Sequence, residues 1–592
     1  MHPGIGVVEN HHLGGNGPVA GAMVGNMDRS PIRYTVRFPA PGTHYAEVEA
    51  EIPTEGRESV ELFMAVWTPG SYLVREYARH VEMPPEFAKS RKNRWRVETG
   101  GAPTVRIRYR VYCREMSVRT NWVEADFALL NGAPTFVTLV DGHARPHEVR
   151  LELPEAWKTT MTGLDAAPGG APHHYVAPDY DTLVDSPILA GNPEVHQFEV
   201  DGIPHFLVHQ GGDGVWDAVK SATNVEKIVL AYRGMWGSLP YSKYVFLNLL
   251  TEAGGGLEHR NSVVMMASRW AARTRKAYLS WLGLVSHEFF HVWNVKRLRP
   301  VELGPFDYEN ENHTTSLWVA EGITEYYAPV MVHRAALSTR EELLAEVSNN
   351  IESIQNTPGR LFAPLERSSY DAWIKLYRPD ENSKNTTVSY YTKGAVVGWL
   401  LDAAIRKASG GAKSLDDAMR LAFERYSGDL GYTPQQFKAT CGEVAGASLR
   451  EFFRHAVEST EELDYVEALD WLGLRFRPVA DSGKAWLGAT TRVDGGRLLV
   501  SQIPRGTPAF GILQVDDEIL GIGDFRVRPD QLAQRLENYQ PSEATSILVA
   551  RREKLLRIDI VLGPEPANLW QLEVLADVTA DQRHQLDAWL GL

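Results

Sequence analysis

His287-Glu288-Phe289-Phe290-His291 holds the residues of this chain best able to do chemistry. On a helix the two histidines stand at i and i+4, so both imidazoles leave one face a turn apart. That separation suits two corners of a tetrahedral zinc site, and Glu288 stands beside them, where a carboxylate can take a proton from water. The flanks are apolar: Leu279, Leu282, Val285, Phe289, Val292 and Val295 form one stripe, and Trp281, Leu284 and Trp293 a second. Such a helix is buried nearly all round. Polar groups within it must be paired or bind metal, because isolated ones are costly. The pattern predicts a helix running to Arg299, with Lys296, Arg297 and Arg299 in its last turn and Pro300 as its stop.

Two histidines need a third protein ligand and an open fourth position, with one Zn2+ per chain. The downstream carboxylates are Glu302, Asp307, Glu309, Glu311, Glu321 and Glu325. Spacing alone favours Glu309 or Glu311, but their setting, GPFDYENENHTT, reads as a polar, turn-like loop. Glu321 lies in SLWVAEGITEYYAPV, an apolar helix opened by Thr314 or Thr315 and interrupted by Pro329. A ligand on a rigid helix is held better than one on a loop. Glu321 is therefore the expected ligand, with Glu309 and Glu311 as alternatives. Glu325, one turn along, is placed to accept the other ring N–H of a ligating histidine.

The elements that must position these groups follow from the rest of the chain. From Arg33 to about Phe198, segments such as YTVRF, HYAEVEAEI and TVRIRYRVY alternate apolar and polar residues between Gly, Pro and Asn turns, the pattern of a β-sandwich. Helical periodicity dominates from Gly212 to Asp464, and strands return from Trp471 to Gly563. The expected fold is multidomain α+β. Its pieces are a leader over 1–30, an N-terminal β-sandwich over 31–205, a mostly helical catalytic domain over 206–467, a β domain over 468–565 and a helical tail over 566–592. The leader is Gly-rich and reads as disordered, with Met27 a candidate beginning. A formal charge of −14 without a long basic run argues against a nucleic-acid partner. No apolar stretch is long enough to span a membrane, and no signal segment is evident, which points to the cytoplasm. Cys113 and Cys441 are the only cysteines, too few for a disulfide framework, and read as structural thiols.

Several stretches carry a family resemblance. HEFFH followed by a Glu on a second helix resembles the gluzincin metallopeptidases, which include thermolysin and the aminopeptidase N group; WVAEGITEYY is similar to the segment bearing the third ligand in the latter. Gly254, Gly255 and Gly256 followed by Glu258, in EAGGGLEHRNS, resemble the strand whose Glu holds a substrate's free α-ammonium. Glycines there also let a peptide backbone approach closely. SYYTKGAVVGWLL resembles the helix whose Tyr donates to the oxyanion, which implies Tyr391, with Tyr390 less favoured. Pro504–Val527 resembles the most recognisable stretch of PDZ domains, and Leu472-Gly473-Leu474 is then the loop whose N–H groups would receive a peptide carboxylate. VWTPGSYLVREYARHV and LVDSPILAGNPE are similar to signature stretches of the PDZ-bearing glycyl aminopeptidases.

That resemblance implies a thermolysin-like zinc exopeptidase acting on peptides with a free N-terminus, preferring Gly and then Ala, with a peptide or protein C-terminus as a further partner of the PDZ-like domain. Two rivals are a PDZ-assisted zinc endopeptidase and a peptide-binding adaptor with a vestigial site. The intact His287, Glu288 and His291 set weighs against the adaptor.

Overall fold

A computed structural model describes residues 29–479, 483–567 and 569–591. All but two residues of the expected leader, Met27 included, lie outside the described residues.

The N-terminal region is rich in β-structure. Ala46, Val48, Ala50 and Ile52 are buried along Tyr45–Pro53 while their neighbours face outward, the period of two that a half-buried strand requires. This strand lies between Ile32–Arg37 and Thr104–Tyr112 in a seven-stranded sheet. Val60 and Leu62, from a four-stranded sheet, join Tyr34, Val36 and Val48 in one core. The loop that follows Ser59–Phe63 leaves that core: Val66, Trp67 and Tyr72 are buried among the helices of the next region.

The helical region is built on a five-stranded mixed sheet in the order Glu194–Val200, Ile203–Gln210, Tyr244–Leu250, Ser262–Ala267, Gly255–Glu258. Its first strand and the start of its second fall within the stretch read from sequence as β-sandwich, because alternation marks a strand without saying which sheet it joins. Every residue of Tyr244–Leu250 is buried. Tyr244, Phe246 and Leu250 face the helices, whereas Val245, Leu247 and Leu249 pack against Leu129 and Leu189 of the N-terminal region. The glycine-rich strand Gly255–Glu258 is the sheet's edge.

Helix Arg275–Phe290, capped by the Thr274 hydroxyl, lies against this sheet. Opposite it runs Ile323–Arg334, preceded by a π-helical turn at Trp318–Gly322. Pro329 does not end this helix, despite the interruption expected of it: a proline forfeits one backbone bond, and the packing of Tyr326, Tyr327, Val330 and Met331 in the core holds the segment helical. Helix Tyr390–Ala408 crosses both segments.

The chain leaves the helical body at Leu474–Phe476 and re-enters at Leu572–Val574, and these two segments pair antiparallel. Between them a six-stranded sheet closes on its own small core, including Val500, Ile519, Ile547 and Val549. The last helix, Ala580–Leu590, is part of the helical body rather than a separate tail. Leu586, Trp589 and Leu590 are buried there, and Trp589 Nε1 donates to Tyr326 Oη at 2.9 Å. Cys113 and Cys441 are buried and unbridged. Among the described residues no helix is long and apolar enough to cross a membrane.

Candidate active site

His287 leaves the last turn of Arg275–Phe290 and His291 caps its end. Their Nε2 atoms converge on one oxygen of Glu321, at 3.7 Å and 3.3 Å. One donor atom from each of the three lies within 4.8 Å of the others. Glu321 sits in the π-helical turn, a local widening often found where a helix must aim a functional group. Its second oxygen, Oε1, is buried and accepts no hydrogen bond.

Both rings are oriented from behind. His287 Nδ1 lies 2.9 Å from Glu325 Oε2, and His291 Nδ1 lies 2.9 Å from the Asn294 carbonyl, which can only accept. With Nδ1 donating, each ring in its neutral form presents the Nε2 lone pair to the centre. Asn294 is itself fixed, its amide donating to the Val319 and Ala320 carbonyls at 2.8 and 3.1 Å. This knot also ends the helix at Phe290, well short of the expected Arg299. Val295 turns to φ 98°, and Lys296 and Arg297, expected in the helix's last turn, lie beyond its end and reach Asp185 and the Val292, Arg260 and Pro240 carbonyls. Periodicity could not reveal a stop made by side-chain bonds to another helix.

The electrostatics favour positive charge at the centre. Burial opposes ionisation of Glu321, yet the two imidazoles outweigh it and hold its carboxyl at about 2. Burial likewise disfavours the His287 cation, but Glu321 and Glu325 outweigh it and raise that group well above the usual range. Two imidazoles and one carboxylate, whose second oxygen is free, form a donor set that fits Zn2+. Glu288 differs: burial pushes it up to about 7, against the pull of His287 and His291. Its Oε2 is buried without a partner.

The glycine-rich edge strand adjoins this cluster. A side chain on Gly256 would overlap the Glu288 side chain as it stands, so any larger residue there would displace the carboxylate. Glu258 is 3% exposed, with Oε1 unpartnered, and one of its oxygens lies within 4.8 Å of donor atoms of both Glu288 and His291. Gly70, from the N-terminal region, abuts Glu258 so closely that a methyl would overlap it; its φ of 85° also suits glycine. Tyr391 lines the cleft, its ring 6.2 Å from His287 and its hydroxyl 3.3 Å from Tyr377 Oη. Tyr390 is fully buried, its hydroxyl facing no partner. The cleft measures about 410 Å3 and runs past His287, Glu288 and Glu325 between apolar walls that include Leu279, Leu284 and Val332.

Other sequence candidates lie elsewhere. Glu309 is engaged by Arg94 Nε at 2.8 Å and Asn93 at 2.9 Å, and Glu311 is exposed. Leu472, Gly473 and Leu474 are not a carboxylate-binding loop. Leu472 ends a helix, Gly473 caps it at φ 62°, and Leu474 begins the strand paired with Leu572–Val574; Leu472 and Leu474 are buried in the helical body. A glycine that ends a helix and a glycine in an anion-binding loop look alike in sequence. Sequence reasoning assigned no role to Gly70, Tyr72, Asn294 or Tyr377. For Gly70 and Tyr72 a signal existed, the WTPGSY segment already noted as a signature stretch.

Residues 280–397 match the M61 glycyl aminopeptidase family, and residues 33–192 match the Peptidase M61 N-terminal domain. Among solved structures the chain is similar to an aminopeptidase N family protein from Idiomarina loihiensis. That likeness has 26% identity and a TM-score of 0.87, and covers 94% of this chain and 100% of that one. A fainter likeness, with 13% identity and a TM-score of 0.46, links 73% of this chain to 94% of an M1 zinc metallopeptidase from Deinococcus radiodurans. Another links 72% of this chain to 49% of an aminopeptidase A from Legionella pneumophila, with 14% identity and a TM-score of 0.45. No curated protein matches the chain.

Proposed function

We propose, from the premise that this chain belongs to the M61 glycyl aminopeptidase family, that it is a zinc-dependent aminopeptidase removing N-terminal glycine, and less readily alanine, from peptides. The observation that carries this reading is the closeness of Glu258 to Glu288 and His291, within 4.8 Å. A carboxylate there rewards a terminal ammonium so near the reacting groups that only the first peptide bond falls into place.

His287, His291 and Glu321 would hold the metal, which when bound supplies a Lewis acid that polarises the scissile carbonyl and acidifies water. Glu325 and Asn294 keep the two rings turned inward. Glu288 accepts a proton from the attacking water and passes it to the departing amine. Tyr391 donates its hydroxyl proton toward the oxyanion as charge develops there. Glu258 pairs with the substrate ammonium, while Gly256 leaves room for the peptide backbone along the edge strand.

Preference for a small first residue is supported by Gly70 closing against Glu258. Discrimination by size alone is worth about 1–3 kcal/mol per methylene, so rates should grade from Gly to Ala to Leu rather than stop abruptly. The six-stranded unit is read as PDZ-like from its Pro504–Val527 segment.

The decisive experiment compares a glycyl peptide with its N-acetylated form, using zinc-loaded protein. Cleavage of the free peptide alone is expected. Equal cleavage of both would remove the exopeptidase reading and the role of Glu258, leaving an endopeptidase.

A further inference from the structure

The N-terminal region brings one guanidinium group to the glycine-rich strand and a second close enough to feel its charge, and gives neither a carboxylate in contact. Arg119 reaches the glycine-rich strand, where a side chain on Gly255 would lie 4.0 Å from its Nη1. Its Nε is buried and makes no hydrogen bond. Arg75 stands nearby, with Nη1 directed at the Ser71 and Leu73 carbonyls at 3.5 and 3.2 Å. Burial, and after it the Arg119 charge, lower the Arg75 pKa, against the opposing pull of Tyr77, Tyr377 and Glu115. Among the described residues neither arginine forms an ion pair, although Arg and Glu pair freely elsewhere, as in Arg94–Glu309. The Arg119 carbonyl accepts from Tyr77 Oη at 2.9 Å, which fixes the backbone that carries it. The Arg119 charge acts on Tyr377, whose hydroxyl lies 3.3 Å from that of Tyr391.

Two like charges half withdrawn from water without a carboxylate in contact gain from an anion that joins them, and a guanidinium matches a carboxylate with two parallel hydrogen bonds. The geometry points to Arg119, with Arg75 behind it, as the anchor for a carboxylate on the leaving side of a short peptide. This assignment rests on the aminopeptidase reading above. With the ammonium at Glu258 and the scissile bond beside Gly256 and Glu288, a peptide laid antiparallel to the edge strand puts its departing portion beside Gly255. From Gly255 to Glu258 the strand advances about 10 Å. That is the reach of a di- or tripeptide between its charged ends. The substrate class is accordingly glycyl di- and tripeptides with a free C-terminus.

The test uses full-length, zinc-loaded protein and three substrates: Gly-Ala, Gly-Ala amide and Gly-Asp amide. The unaltered protein is expected to favour Gly-Ala over its amide, mainly through KM. Arg119→Gln should raise the KM for Gly-Ala about 10- to 100-fold and leave the amide within about twofold, with Arg119→Lys recovering part of the loss. Turnover of the amide reports that the variant is folded. Arg119-dependence shown by Gly-Asp amide and not by Gly-Ala would move the carboxylate from the chain end to a side chain. Equal effects on acid and amide, or none on either, would overturn the assignment. Failure of the unaltered protein to cleave any free-amine glycyl substrate, with N-acetylated peptide still cleaved, would instead condemn the aminopeptidase reading.

Discussion

Gly322 and Gly394 meet back to back where two helical segments cross: a methyl added to Gly322 would lie 2.5 Å from the Gly394 Cα, and one added to Gly394 would lie 2.7 Å from the Gly322 Cα. Gly322 follows Glu321, and Gly394 lies three residues beyond Tyr391. The absence of two side chains therefore fixes the distance between the third ligand candidate and the tyrosine of the cleft. Gly394→Ala should push the segments apart at a cost of about 1–3 kcal/mol. Thermal unfolding is expected at lower temperature, with kcat on a glycyl substrate falling at least tenfold. A variant as active and as stable as the parent would show that the crossing is slack.

Glu288→Gln keeps the shape of the side chain and removes its basicity. Metal content by elemental analysis should stay at one ion per chain, whereas kcat should fall about 100- to 10,000-fold. Retained activity would take the proton-transfer role away from Glu288.

Glu325 touches the back of the His287 ring at 2.9 Å. Glu325→Ala frees the ring to turn and removes its acceptor, so zinc affinity should weaken about 10- to 100-fold. Competition with a chelator of known affinity measures this directly. An unchanged dissociation constant would reduce Glu325 to a surface charge.

The N-terminal β region should be acid-sensitive. His147 is fully enclosed beside Thr138, and burial pushes it down from 6.5 to about 3. The unfolded chain therefore takes up a proton first: this contribution to stability is whole above pH 6.5 and is lost as pH falls toward 3, at about 1.4 kcal/mol per pH unit. His205 and His209, lowered to about 4 by burial, act in the same direction in the central sheet. His147→Gln is expected to narrow the gap between urea midpoints at pH 7 and pH 5. A gap of the same width would place the acid-sensitive group elsewhere.

Much of this arrangement was legible in the residues. A five-residue string with two apolar stripes places His287, Glu288 and His291 on one helix, and the choice between Glu321 and Glu309 or Glu311 follows from which of them sits in an apolar helix. Local pattern speaks for contacts within a turn or two. It is silent about Arg119 and Gly70, which arrive from more than 130 residues upstream, and about Asn294, whose side chain stops a helix that periodicity would continue. Gly473 was misleading for a different reason: a left-handed glycine serves helix ends and anion loops equally.

The chain enters and leaves the six-stranded unit through adjacent antiparallel segments, Leu474–Phe476 and Leu572–Val574, before its last helix returns to Tyr326. The unit is thus a side branch on the catalytic trunk. Nicking the polypeptide inside the branch would leave both stubs zipped together and the closing helix docked. Trimming from the carboxyl end would pull the Trp589 wedge from behind the helix that carries Glu325 while sparing the branch.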